Sequence, residues 1–161
     1  MSNKIIFQFG LVIVLLVFST LGAWYEGSEI LDRPSEWKYS TPFTHLFSGG
    51  INDPADISVI DYFVYAAKFK PIYPLLMLIN SVYLLTLLAY VCLKQYKKGF
   101  TIFNFIMGGL LILFSLALYN SRTEGAQFIF YVSLAIGILY IGVTSLFSTQ
   151  SKSKILNLIK K

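Results

Sequence analysis

Four stretches of the chain carry no charged residue and no histidine: residues 5–24, 72–93, 101–119 and 126–147. Each is near the ~20 residues that a helix needs to cross about 30 Å of hydrocarbon. Helix is the conformation such stretches must adopt, because an open strand would leave backbone groups unpaired in lipid. Pro74 falls in the first turn of the second stretch, where a proline costs little. The pattern therefore predicts an all-α integral membrane protein, a four-transmembrane-helix bundle.

Between the first two spans, residues 25–71 make a connection far longer than the usual 2–8 residues. Its run Glu36-Trp37-Lys38-Tyr39-Ser40-Thr41, bracketed by Pro34 and Pro42, alternates as a short half-buried strand would. Phe43, Leu46 and Phe47 fit one turn of helix, and Gly49-Gly50 marks a bend. Asp53 and Pro54 read as the N-cap and first residue of a second helix over 54–69. Ile57, Ile60, Val64 and Ala67 form its apolar stripe, with Asp56, Asp61 and Lys68 off it, which predicts an amphipathic helix lying on the membrane or capping the bundle. The load of Trp37, Tyr39, Phe43, Phe47, Tyr62, Phe63, Tyr65 and Phe69 argues for a folded segment rather than a disordered one.

Charge sets the direction. Lys4, Lys94, Lys97, Lys98, Lys152, Lys154, Lys160 and Lys161 fall on one side of the spans, with no acid among them. The other side holds Arg33, Lys38, Lys68, Lys70 and Arg122 together with all eight acids. The positive-inside rule then places both termini in the cytosol and residues 25–71 outside. The Lys-rich tail, 148–161, reads as a short basic helix on the anionic inner leaflet. Lys4, the apolar core and Gly22-Ala23 also permit a cleaved signal peptide, but the core is long for one and Trp24 reads as an interface anchor. The formal charge of +5 does not indicate nucleic acid, since the basic residues flank apolar spans instead of forming a patch on a soluble surface.

Chemistry is sparse. Cys92 is the only cysteine, so the chain alone can form neither a disulfide nor a dithiol site. Cys92 reads as a small residue near a span end, with lipidation as the alternative. His45 is the only histidine, too few for a zinc site, and the outer acids lack EF-hand spacing. No cofactor is implied. Within the spans the polar side chains are amides and hydroxyls, chiefly Gln8, Asn80 and Asn104, which suit helix–helix hydrogen bonds. Gln8 and Asn104 lie at matching depths on the first and third spans, so a bond between them is expected. Ser19/Ala23, Ser133/Gly137 and Gly108-Gly109 supply the small residues of close helix packing.

Ala23-Trp24-Tyr25-Glu26-Gly27-Ser28-Glu29 and Glu36-Trp37-Lys38-Tyr39-Ser40-Thr41 resemble a family of small uncharacterised multi-pass membrane proteins, a domain of unknown function, from Gram-positive bacilli. The resemblance covers roughly residues 5–48. It implies a bacterial plasma-membrane protein and carries no assigned activity. Four spans with a large first outer segment also resemble claudins, but the paired outer cysteines of claudins are absent, and vitamin K epoxide reductase and thiol oxidase bundles are excluded by the missing Cys-x-x-Cys.

The expectation is a non-enzymatic protein in the lipid bilayer that binds a membrane-protein partner or a second copy of itself, as an accessory subunit, envelope-stress component or immunity protein. Trp37, Tyr39, Phe43 and Phe47 are the candidate partner surface. A channel or transporter component is the alternative, although no ionisable residue lies within a span. A membrane enzyme with a site around His45 and the outer acids is a third reading.

Overall fold

The structure, a computed structural model, describes the backbone of residues 3–159 and the side chains of residues 3–146. The fold is all-α: seven helices and two short 3-10 turns, with no strand among the described residues. The helices are α1 (Asn3–Gly27), α2 (Pro34–Ser40), α3 (Pro42–Ser48), α4 (Val59–Phe69), α5 (Ile72–Leu93), α6 (Lys97–Leu118) and α7 (Glu124–Ile159). Four of them, α1, α5, α6 and the first part of α7, are long and apolar enough to cross a membrane. They expose large apolar side chains such as Phe7, Val14, Phe18, Leu113 and Leu139, which water would penalise and hydrocarbon would not. Residues 152–159 of the basic tail continue α7 as backbone, and their side chains lie outside the described residues.

The chain forms two compact units, one of Met1–Leu84 with Ser121–Ile129 and one of Leu85–Asn120 with Phe130–Lys161. In the second, α6 meets α7 where both are smallest. A Cβ on Gly108 would come within 3.0 Å of the Gly137 carbonyl, whereas Gly109 faces open space. Thr86 of α5 and Tyr140 of α7 share a hydroxyl hydrogen bond of 2.5 Å. Ser133 and Ser115 are buried, and each donates to its own helix's carbonyl three residues back.

In the first unit α1 packs on α4 and on the start of α5. Ser19 and Ala23 are buried, Gly22 lies against the Tyr73 ring, and Phe18 meets that ring edge-on at 5.9 Å. At its last residue α1 narrows to Gly27, where a Cβ would overlap the Tyr62 carbonyl. That contact seats α4 against the end of α1.

Residues 36–41 are not a strand. Pro34 starts α2, which runs through Ser40. Six alternating residues are too few to separate a period of 2 from one of 3.6. A strand would put Trp37 and Tyr39 on one face. The helix instead turns Trp37, Ser40 and Thr41 inward at i, i+3 and i+4 and leaves Tyr39 exposed. The helix expected over 54–69 is likewise broken. Asp53 and Asp56 close a capping box around a single 3-10 turn, Pro54–Asp56. Ile57 then goes extended to bury its side chain, and the Ser58 hydroxyl caps α4 afresh. The buried face of α4 is Asp61, Tyr65 and Ala66, while Ile60, expected on the apolar stripe, is exposed.

Candidate functional site

Residues 28–70 fold around one small core. Ile30, Ile57 and Tyr65 are buried together, with Leu31, Trp37, Ile51 and Tyr62 packed against them. Ile30 is carried by the 3-10 turn Ser28–Asp32 that continues from α1. The Trp37 indole N–H donates to the Ile30 carbonyl at 2.8 Å, so the ring closes the core and satisfies a backbone group together. The Thr41 hydroxyl donates to the Trp37 carbonyl at the α2–α3 junction.

Asp61, expected at the surface, is fully buried. Its carboxylate accepts from the backbone N–H of Phe43 (3.0 Å), the N–H of Thr44 (2.7 Å) and the Thr44 hydroxyl (2.5 Å). The Thr44 hydroxyl oxygen in turn accepts from the Ser58 N–H at 2.8 Å. One acidic side chain of α4 thus satisfies the open N-terminus of α3 and, through Thr44, the chain entering α4. Burial of the charge is offset by three charge-assisted donors and the favourable helix N-terminus. An acid off an apolar stripe looks the same in sequence whether it faces water or a neighbouring helix end, so no sequence signal singled it out.

Cations and acids brace the rim. Glu29 pairs with Arg33 at 3.2 Å and Lys70 at 3.6 Å, exposed pairs that contribute little each. The Lys68 ammonium donates to the Tyr39 carbonyl, tying α4 to α2. Burial pushes the Lys68 pKa down, against an upward pull from Glu36 and Asp61. Tyr65, whose ring meets Phe69 at 4.8 Å and a tilt of 40°, has its phenol pKa pushed up by burial, with Glu29 adding to the rise.

Of the four residues expected as a partner surface, Trp37 is taken up by the core and Phe43 is half-buried. Tyr39 and Phe47 are exposed, at 66% and 70%. Leu46, at 74%, joins Phe47 on α3, an addition to the four residues expected there. Gly49, at φ 72°, ends α3 there in the left-handed region and returns its N–H to the His45 carbonyl. Of the span amides, Gln8 is exposed, Asn80 half-buried, and the Asn104 amide oxygen is buried without a hydrogen-bond partner. His45 and Cys92 are exposed, and no three of His, Cys, Asp and Glu converge among the described residues.

Beside this core lies a cavity of about 620 Å³. Lys68, Phe69 and Pro71 line it from the end of α4, and Arg122, Thr123, Glu124, Gly125 and Phe128 from the start of α7. Gly125 lets the first turn of α7 press on the last carbonyls of α4, where a Cβ would be 2.5 Å from the Lys68 oxygen.

These features define a class: a small all-α chain with four helices fit to span a membrane and a compact helical segment between the first two. The chain belongs to the family described as a domain of unknown function, DUF4306, whose pattern matches residues 6–93, from α1 to the end of α5. It is 33% identical over 86 residues to the uncharacterized protein YjdJ of Bacillus subtilis (strain 168), a match covering 52% of this chain and 79% of that protein. No solved structure matches.

Proposed function

We propose that the protein is a multi-pass plasma-membrane protein that works without catalysis, by binding a membrane-protein partner through α3. The observation that carries this is the exposure of Leu46 and Phe47, side by side on α3 and the most exposed large apolar side chains of residues 28–70, in a segment that closes a core of its own around Ile30, Ile57 and Tyr65. Monomeric soluble surfaces seldom leave large neighbouring apolar side chains uncovered without a binding role. The excess of basic residues on one side of the spans and the confinement of all eight acids to the other support cytosolic termini, with this surface outside the cell.

A photo-crosslinking residue placed at Phe47 in native membranes tests the reading. Discrete adducts are expected from Phe47 and from Leu46, and none from exposed Asp53 in the same segment. An empty lane at Phe47, or the same adducts from Asp53, refutes a partner at α3. Reporter fusions at residues 50 and 161 test the sidedness, which fails if a reporter that works only outside the cytosol is active at 161.

A further inference from the structure

We propose that the cavity between the end of α4 and the start of α7 binds a phosphoryl group at the membrane–water boundary, as the phosphodiester of a phospholipid headgroup or as free phosphate. Its depth is the first reason. Both spans adjoining it begin at its walls, α5 at Ile72 just after Pro71 and the last span at Glu124. A cavity there sits where headgroups lie, immediately outside the hydrocarbon.

The lining is the second reason. Arg122 makes no ion pair among the described residues, and its guanidinium offers a planar fork of donors that matches phosphate oxygens. Lys68 lines the same space, and its partly desolvated ammonium, which donates to the neutral Tyr39 carbonyl, gains from an anion. Thr123 adds a hydroxyl, and the first turn of α7 adds backbone N–H groups that a helix leaves open. Glu124 on the same lining opposes a multiply charged anion, which favours a singly charged phosphodiester over inorganic phosphate. Phe69, Pro71 and Phe128 supply an apolar wall for the first carbons of an acyl chain.

The test uses the full chain purified in detergent and native mass spectrometry. Dioleoylphosphatidylglycerol, dioleoylphosphatidylethanolamine and inorganic phosphate are added in separate arms. One retained lipid per chain is expected, bound about tenfold more weakly by Arg122→Gln, the loss of one charge-assisted contact. Arg122→Lys should recover part of the binding. Arg33→Gln, which removes an equal charge already paired to Glu29, should leave it unchanged. Arg122 is exposed, so helical circular dichroism should be identical in all variants. Retention of inorganic phosphate alone, with the same dependence on Arg122, keeps the phosphoryl site and assigns it to free phosphate. Undiminished binding by Arg122→Gln, an equal loss in Arg33→Gln, or no binding in any arm overturns the proposal.

Discussion

The Asp61 carboxylate takes both the backbone N–H and the hydroxyl of Thr44, seventeen residues earlier, in a site with no exposure to water. Removing the acceptor leaves two buried amides and a hydroxyl to find other partners. Asp61→Ala should cost about 3 kcal/mol, and Asp61→Asn, with one acceptor oxygen in place of two, roughly 2 kcal/mol. Thermal unfolding in detergent, followed by protease cleavage within residues 42–58, reads both. Wild-type stability in Asp61→Ala would show that the carboxylate does not hold α3.

Two glycines of α1 should respond in opposite senses to the same added methyl group. Gly27→Ala drives a Cβ into the Tyr62 backbone and should destabilise the α1–α4 contact by about 2 kcal/mol. Gly10, with nothing within 4 Å, gains helix propensity, and Gly10→Ala should be neutral or stabilising by up to about 1 kcal/mol. Equal melting temperatures for the two variants would contradict the close approach at Gly27.

The Thr86–Tyr140 bond links α5 to α7 between hydroxyls. Tyr140→Phe keeps the ring and should lose about 0.6–2 kcal/mol. A double-mutant cycle with Thr86→Val isolates the pair, and a coupling energy of zero would remove the bond from the account.

Alkaline stability should depend on Tyr65. Its pKa is raised above 10.0 by burial, so the neutral phenol is favoured in the folded state. The stabilisation is fully present below the unfolded value and is lost as pH rises through the folded pKa. Lys68 has the opposite sign. Its lowered pKa penalises the folded cation, a penalty relieved as pH rises toward 10.5. Tyr65→Phe should therefore flatten the fall in melting temperature above pH 10 and leave the Lys68 rise beneath it. A fall as steep as wild type would place the alkaline loss elsewhere.

The four long helices could be read from sequence because hydrocarbon imposes one requirement, an uninterrupted apolar run, that no local detail overrides. The paired small residues Ser19/Ala23 and Ser133/Gly137 were legible for the same reason, since packing in lipid rewards close backbone approach. Between the spans that requirement lapses. Residues 36–41 match a strand pattern yet all but Thr41 lie in α2, because Trp37 is placed by the Ile30 carbonyl, seven positions upstream and outside the run. Asp61 reads from sequence as part of a polar helix face because its compensation comes from the N-terminus of another helix. The cavity is illegible altogether: Lys68 and Arg122 are 54 positions apart and come to line one space where Gly125 packs on the end of α4.

Helix α3 has seven residues, well short of the ~12 at which a helix holds itself in water. Its first turn is closed by a side chain of α4, and α4 is seated by the last residue of α1. The protruding Leu46 and Phe47 are therefore a late product of biogenesis. In a nascent chain that stops before α4 the Asp61 carboxylate is missing, and α3 lacks the contact that closes its first turn. Leu46 and Phe47 acquire a fixed orientation once the downstream sequence has emerged and docked, so a half-made protein cannot present the same face to its surroundings as a finished one.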